Sequence, residues 1–195
     1  MKIRTMIHRS IGLASLVSVS ALLGACASMG DSGPRAEATL ESRSGSKTTG
    51  TVSFQAVGQK LRIEASVAGL TPGQHGFHIH EAGDCSAPDA SSAKGHFNPA
   101  GKPHGHHGGT DRHAGDMPNL VADATGRATL SAELDMLSLN AGPAGILKRS
   151  VVIHADPDDY KSQPAGNSGK RVACGVIREV SVSAAGAASG GGRGY

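Results

Sequence analysis

Nine of the ten histidines in this 195-residue chain fall between positions 75 and 154. Imidazoles at that density suit metal ligation, and spacing decides whether they amount to a site. In "FHIH", His78 and His80 stand two apart. On a strand, positions i and i+2 share a face, so both imidazoles point one way while Phe77 and Ile79 point to the core. His154 ends a second apolar run, "SVVIH". A third imidazole at a strand end can meet the first two across a sheet. This set is imidazole-rich and free of thiolate, which suits copper(II), an ion able to cycle between oxidation states. The stretch "HFNPAGKPHGHHGGTDRHAGD" supplies a second set: His96, His104 and His113, spaced by eight and nine residues, with Asp116 three further on. Three imidazoles and a carboxylate form a tetrahedral zinc set. All four come from a segment too poor in apolar residues to order itself by burial, so the ion would order it. Zinc has no redox chemistry, which makes this second site structural. His106 and His107 leave the loop register open. Either one can replace His104 in another register, although the eight-residue step favours His104.

The elements that must carry these residues have an apolar period of two. Val52, Phe54 and Ala56 alternate with polar residues in "TVSFQAV", as do Leu61, Ile63, Ala65 and Val67 in "LRIEASV". "ATLSAEL" repeats the pattern, and each segment reads as a half-buried strand. "RSGS", "GLTPGQ" and "DATG" are turns. Further strand candidates are "AEATLES", "HGFHIHE", "NLVAD", "ILKRSVVIHA" and "RVACGVIREV". About eight strands and no long helix predict an all-β antiparallel sandwich or barrel. The scarcity of aromatics (3%) and the 28 glycines agree with a turn-rich β protein. Two long segments, 83–118 and 155–170, interrupt the pattern, and structureless loops of that length are usually functional. "AGNSGKR" fails as a phosphate loop, because its first glycine is missing and Arg171 stands where Ser or Thr belongs.

The N-terminus predicts export. Lys2, Arg4 and Arg9 precede the apolar run "IGLASLVSVSALL", and small residues lead up to Cys26. This order reads as a cleaved signal over residues 1–25. "LGAC" resembles the bacterial lipobox, in which the cysteine is lipidated and becomes the first mature residue. Acyl chains contribute ~0.8 kcal/mol per buried CH₂, enough in combination to hold a protein on a membrane. Residues 26–34 read as a polar tether, 35–182 as the domain and 183–195 as a flexible tail. The three cationic residues of the leader account for the whole formal charge of +3, so the mature chain is neutral with its histidines uncharged. The basic pI is therefore no sign of nucleic-acid binding. With Cys26 lipidated, Cys85 and Cys174 remain of the three cysteines. Disulfides persist in exported proteins, which predicts a Cys85–Cys174 bridge.

From about Arg35 to Val180 the chain resembles the bacterial, exported copper–zinc superoxide dismutases. The resemblance rests on "GFHIHE", "GHFNP", "RHAGD", "VVIHADPDD" and "RVACGVI", in the family's order and near its spacing. It implies an eight-stranded Greek-key barrel with two long functional loops. It also implies copper on His78, His80, His96 and His154, and zinc on His96, His104, His113 and Asp116, with His96 bridging the two ions. Asp158 matches the carboxylate that joins a copper ligand to a zinc ligand through hydrogen bonds. Arg171 matches the arginine that holds superoxide beside copper, and His96 the residue that breaks from copper to carry a proton. Cys85 and Cys174 match the family disulfide. His75 matches a position that holds loop to strand.

The activity implied is dismutation of superoxide to oxygen and hydrogen peroxide by a cycling copper ion. The loop 155–170 is shorter than its counterpart in the cytosolic eukaryotic enzymes, so the guiding charges of those enzymes do not transfer. Lys94, Lys102 and Lys161 flank the site and are expected to help steer the anion. The competing reading is a catalytically inert, membrane-anchored copper/zinc-binding protein on the same fold. Such a departure would lack a ligand or the arginine, and this sequence keeps all of them. The expected location is the periplasm. Ala27, rather than the inner-membrane-retention Asp, follows Cys26 and points to the outer membrane. No nucleic-acid partner is expected, and a homodimer stays open, because exported relatives include both dimers and monomers. Replacing Cys26 with Ser is expected to move the protein from the membrane to the soluble fraction on cell fractionation, and a variant that stays with the membrane counts against the lipid anchor.

Overall fold

A computed structural model of the chain describes residues 33–180. The expected leader, Cys26, the tether up to residue 32 and the tail lie outside the described residues. The described part holds β1 (Arg35–Ser42), β2 (Thr49–Val57), β3 (Lys60–Ala68), β4 (Gly73–His75), β5 (Phe77–His80), β6 (Leu120–Ala122), β7 (Ala128–Leu134), β8 (Ser150–His154), β9 (Arg171–Val176) and β10 (Arg178–Val180). One 3₁₀ turn, Ser91–Ala93, is the only helical element among the described residues. The strands follow the order β5-β8-β9-β1-β2-β3-β7, with β10 also on β1 and a separate pair β4-β6. Every pairing is antiparallel. The neighbours β5–β8, β9–β1 and β3–β7 are distant in sequence, as Greek-key connections require.

All eight predicted strand segments form, and two of them are divided. "HGFHIHE" breaks at Gly76, where the chain passes from pairing with β6 to pairing with β8. The Gly76 N–H donates to the Asp156 carbonyl (2.8 Å) and its carbonyl accepts from the His154 amide (2.8 Å). A Cβ at Gly76 would lie 2.7 Å from Ser168 Oγ, so only glycine lets the long loop approach so closely. This crossing closes the barrel. The Asp123–Arg127 turn joins β7 to β6, β6 pairs with β4, and β4 runs into β5. "RVACGVIREV" breaks at Ile177, whose amide donates to the Arg149 carbonyl instead (2.8 Å). Its register against β1 continues across the break, from Glu41↔Cys174 to Arg35↔Val180.

The predicted alternation fills the core. Ala36, Ala38 and Leu40 of β1, Val52 and Phe54 of β2, and Leu61, Ile63, Ala65 and Val67 of β3 are all buried. All three phenylalanines of the chain are buried, and each such side chain contributes ~1.5–3 kcal/mol on transfer from water. β5 and β8 are buried along their whole length. Phe77, Ile79, Val151 and Ile153 enter the barrel core, whereas His78 and His80 lie on the opposite face, beneath the loops. That two-sided burial seats histidines on rigid strands and out of water.

The predicted bridge between Cys85 and Cys174 is present, 89 residues apart in sequence. It ties the loop after β5 to β9, and Ala90, Ala93 and Val152 pack with Cys174 in a small second cluster. Closing a loop of that size contributes ~4 kcal/mol in the chain-entropy account. Replacing both cysteines with serine is therefore expected to lower unfolding stability by about 4 kcal/mol. Denaturant titration of the two proteins in the same metal state checks it, and equal midpoints would refute it.

Candidate metal centre

Two buried groups of ligating side chains share one histidine. The first is His78, His80, His96 and His154; the second is His96, His104, His113 and Asp116. Within each group one ligand atom per residue lies within 4.8 Å of the others. β5 supplies His78 and His80, β8 supplies His154, and the loop between β5 and β6 supplies the rest. His106 and His107 belong to neither group, so the register that uses His104 is the one the fold adopts.

Hydrogen bonds on one ring nitrogen decide which nitrogen is left for a metal. His78 Nε2 donates to Asp158 Oδ2 (2.7 Å), His80 Nδ1 to the Lys94 carbonyl (2.9 Å) and His154 Nδ1 to the Gly169 carbonyl (3.2 Å). What remains is His78 Nδ1, which is buried without a partner, with the Nε2 atoms of His80 and His154 facing each other at 3.4 Å. His96 Nε2 is likewise buried without a partner. In the second group, Asp116 Oδ1 lies 2.9 Å from His96 Nδ1, 3.1 Å from His104 Nδ1 and 3.3 Å from His113 Nδ1. Asp116 Oδ2 accepts from the amides of His113 (2.9 Å) and Gly105 (3.1 Å), which fixes the carboxylate. Buried nitrogens without partners and facing lone pairs are costly by themselves. A cation in each group satisfies them, so the residues fit two metal ions.

Asp158 joins the two groups. Its Oδ1 accepts from His104 Nε2 (2.9 Å) while its Oδ2 takes the bond from His78. Gly166, at φ +62°, lies against this pair, where a Cβ would collide with Asp158 Oδ1. Two amide side chains that sequence reasoning missed hold the loops around it. Asn119 accepts from the Asp158 amide (2.9 Å) and donates to its carbonyl (2.9 Å). Gln163 accepts from the His104 amide (2.8 Å) and donates to its carbonyl (2.8 Å). Neither carries a sequence signal: Asn119 only opens a short apolar run, and Gln163 is one polar residue among many in a loop. His75 lies between the carbonyls of His154 (2.9 Å) and Thr71 (2.8 Å), joining β4 to the site.

Arg171 pairs with His154 in the β8–β9 register. Its guanidinium donates to the carbonyls of Ala90 (2.6 Å) and Lys94 (2.6 Å). The same Lys94 carbonyl accepts from His80, so the disulfide-tied loop orients the cation and a ligand together. Of the three expected steering lysines, Lys102 is drawn off by Asp111 at 2.8 Å. Its charge is offset locally.

Burial sets the charge states. Burial holds His78, His80 and His154 below the ordinary imidazole value, with like charge on the neighbouring histidines adding to it at His80 and His154. Burial, then His78, brings His96 down to about 4. These four are neutral at pH 7 and ready to ligate. Burial also pushes His104 down, but hydrogen bonds to Asp116 and Asp158 outweigh it and raise it to about 9. Asp116 and Asp158 are held below the carboxylate range, because bonds from the histidines outweigh burial.

A sequence profile for "Copper/zinc superoxide dismutase (SODC)" matches residues 48–177. The chain belongs to the copper/zinc superoxide dismutase family. Among its relatives, a copper–zinc superoxide dismutase of Deinococcus radiodurans is 39% identical over 184 residues, covering 88% of this chain and 98% of the relative. A second, from Aquifex aeolicus, is 48% identical over 121 residues, covering 60% of this chain and 71% of that one. Among solved structures, a crystal structure of the clock protein EA4 is similar at a TM-score of 0.69 and 40% identity, covering 75% of this chain and 94% of that one. The activity is therefore superoxide dismutation, with superoxide as substrate and one copper and one zinc ion as cofactors.

The pKa shifts predict a pH profile for the metal-free enzyme. The four depressed histidines take up protons on unfolding, so their contribution is lost as pH falls below about 6.5, in the case of His96 through about 4. The raised His104 works oppositely: its contribution is complete below 6.5 and lost as pH rises through about 9. Asp116 and Asp158, being depressed, contribute fully above their ordinary value of 3.8 and stay constant in this window. Denaturant titration of the metal-free protein should find a stability maximum near pH 6.5. A flat profile would contradict these charge states.

Proposed function

We propose that dismutation proceeds with copper on His78, His80, His96 and His154, zinc on His96, His104, His113 and Asp116, and His96 bridging the two ions. The observation that carries this reading is the division of labour on the His96 ring. Nδ1 faces Asp116 and His113, and Nε2 is left free for the other group. A copper ion so held supplies the one-electron acceptor and donor that turn two superoxide anions and two protons into oxygen and hydrogen peroxide, while zinc supplies fixed charge and order. Arg171 binds the anion by charge-assisted hydrogen bonding, its orientation fixed by Ala90 and Lys94. His96 holds a proton at Nε2 in one half of the cycle and gives it to the departing product in the other. Asp158 keeps His78 and His104 in the tautomers that ligate. Lys94 and Lys161 are the steering lysines that remain.

The chain acts in the periplasm, held to the outer membrane through lipidated Cys26, and the lipobox-like "LGAC" supports that placement.

Metal analysis of the purified mature protein, with a superoxide-consumption assay, tests the assignment. One copper and one zinc per chain with activity is expected; zinc alone without activity would favour the inert metal-binding reading. Replacing Arg171 with Ala is expected to retain both metals and to slow turnover by about one to two orders of magnitude, matching the ~1.5–3 kcal/mol of a hydrogen bond to a charged group. Lys94→Glu should slow the reaction most at low ionic strength, and the difference should shrink as salt is added.

A further inference from the structure

The loop histidines His106 and His107 take no part in either ligand group, yet they are packed against something. Their rings lie 4.0 Å apart between centroids. Both meet Tyr160 of the opposite long loop, His106 at 4.8 Å and His107 at 5.7 Å. Tyr160 is half-buried and sits at φ +59°, a left-handed conformation that disfavours a bulky side chain. Such a conformation persists only where the surroundings over-determine it, and here they do. The Tyr160 amide donates to Asp158 Oδ1 (2.7 Å). Its hydroxyl accepts from the Asn119 amide (2.8 Å). Asn119 is the residue whose side chain brackets the Asp158 backbone. Tyr160 thus reaches Asp158 by two routes, directly at the carboxylate and through Asn119 at the main chain. The surplus histidines close over its ring from the other side.

We propose that Tyr160 is a positioning residue. Clamped between His106/His107 and Asn119, it fixes the Asp158 carboxylate in the orientation that accepts from His78 and His104 together. The inference rests on the metal assignment above. It gives the two surplus histidines a role as an edge-on aromatic lid that latches one long loop onto the other. The effect is felt by the metal ligands rather than by superoxide, so it appears in metal retention. Removing a group that orients a ligand typically weakens metal binding about 10–100-fold.

The test uses the copper- and zinc-loaded full chain, and the readouts are the rate of zinc loss to a chromogenic chelator and the visible spectrum after cobalt is placed in the zinc site. Tyr160→Phe keeps the ring and removes only the hydroxyl. It is expected to speed zinc release about tenfold and to shift the cobalt bands, with the unfolding midpoint of the metal-free protein unchanged. The double variant His106→Ala/His107→Ala keeps both hydrogen bonds and removes the edge-on ring contacts, and a smaller acceleration of the same sign is expected. If Tyr160→Phe does not fold, the double variant carries the test alone. Unaltered release and cobalt spectrum overturn the proposal. So does a metal-free midpoint that falls in step with zinc retention, since a merely structural role would give that. A wild-type protein that takes up no zinc would overturn the metal assignment itself, and a wild type that holds zinc as firmly as its variants overturns only the role of Tyr160.

Discussion

The site turns on one buried carboxylate shared by two imidazoles. Asp158 accepts from His78 through one oxygen and from His104 through the other. His78 belongs to β5 and His104 to the loop, so a single charge ties the barrel wall to a segment with little apolar surface of its own. The cost of burying that charge is offset by three donors, since the Tyr160 amide joins the two rings. The same bonds fix the tautomer of each histidine and leave Nδ1 on both rings for a metal. If the carboxylate moved by an ångström, both groups would lose a ligand direction together.

The barrel supplies rigidity that the loops lack. β5 and β8 are buried on both faces, which sets the first ligand group on neighbouring antiparallel strands with a fixed register. The loops are held by polar rather than apolar contacts. Asn119 and Gln163 bracket the main chain of Asp158 and His104. Arg112, wholly buried, donates to the carbonyls of Gly109 and His113 and pairs with Asp135 beyond β7. Hydrogen bonds of this kind contribute about 1 kcal/mol each when net, but leaving them unmade costs more. The loops are therefore ordered by satisfaction of buried polar groups, and the bound metals complete it.

The disulfide and the arginine belong to one device. Cys85–Cys174 brings the loop after β5 down onto β9. The carbonyls of Ala90 and Lys94 then face Arg171. The Lys94 carbonyl also holds His80, so the proposed anion-binding cation and a proposed copper ligand take their orientation from the same peptide. Lys94 itself lies at φ +63°, and the carbonyl reaches both partners from that conformation.

Much of this was legible in the residues alone. The period-two alternation located "TVSFQAV", "LRIEASV" and "ATLSAEL", because a barrel strand with one wet face must alternate, while β5 and β8, buried on both faces, were legible only as short apolar runs. The i, i+2 spacing of His78 and His80 put two imidazoles on one face for the same local reason. The intervals in the loop separated His104 from His106 and His107 only as a preference. It took the tertiary structure to decide it, because the choice depends on where Gln163 holds the main chain. The divisions at Gly76 and Ile177 were also invisible, since a strand that changes partners keeps its hydrophobic pattern. Asn119, Gln163 and the Tyr160 hydroxyl act through contacts spanning 39 to 59 residues of sequence. A polar side chain in a loop announces nothing until its partner is in place. The sequence by itself determined which residue types were on hand to bind metal and which face of each strand they share. Only the folded chain decided which nitrogen of each ring is free, because that depends on the acceptor its other nitrogen meets.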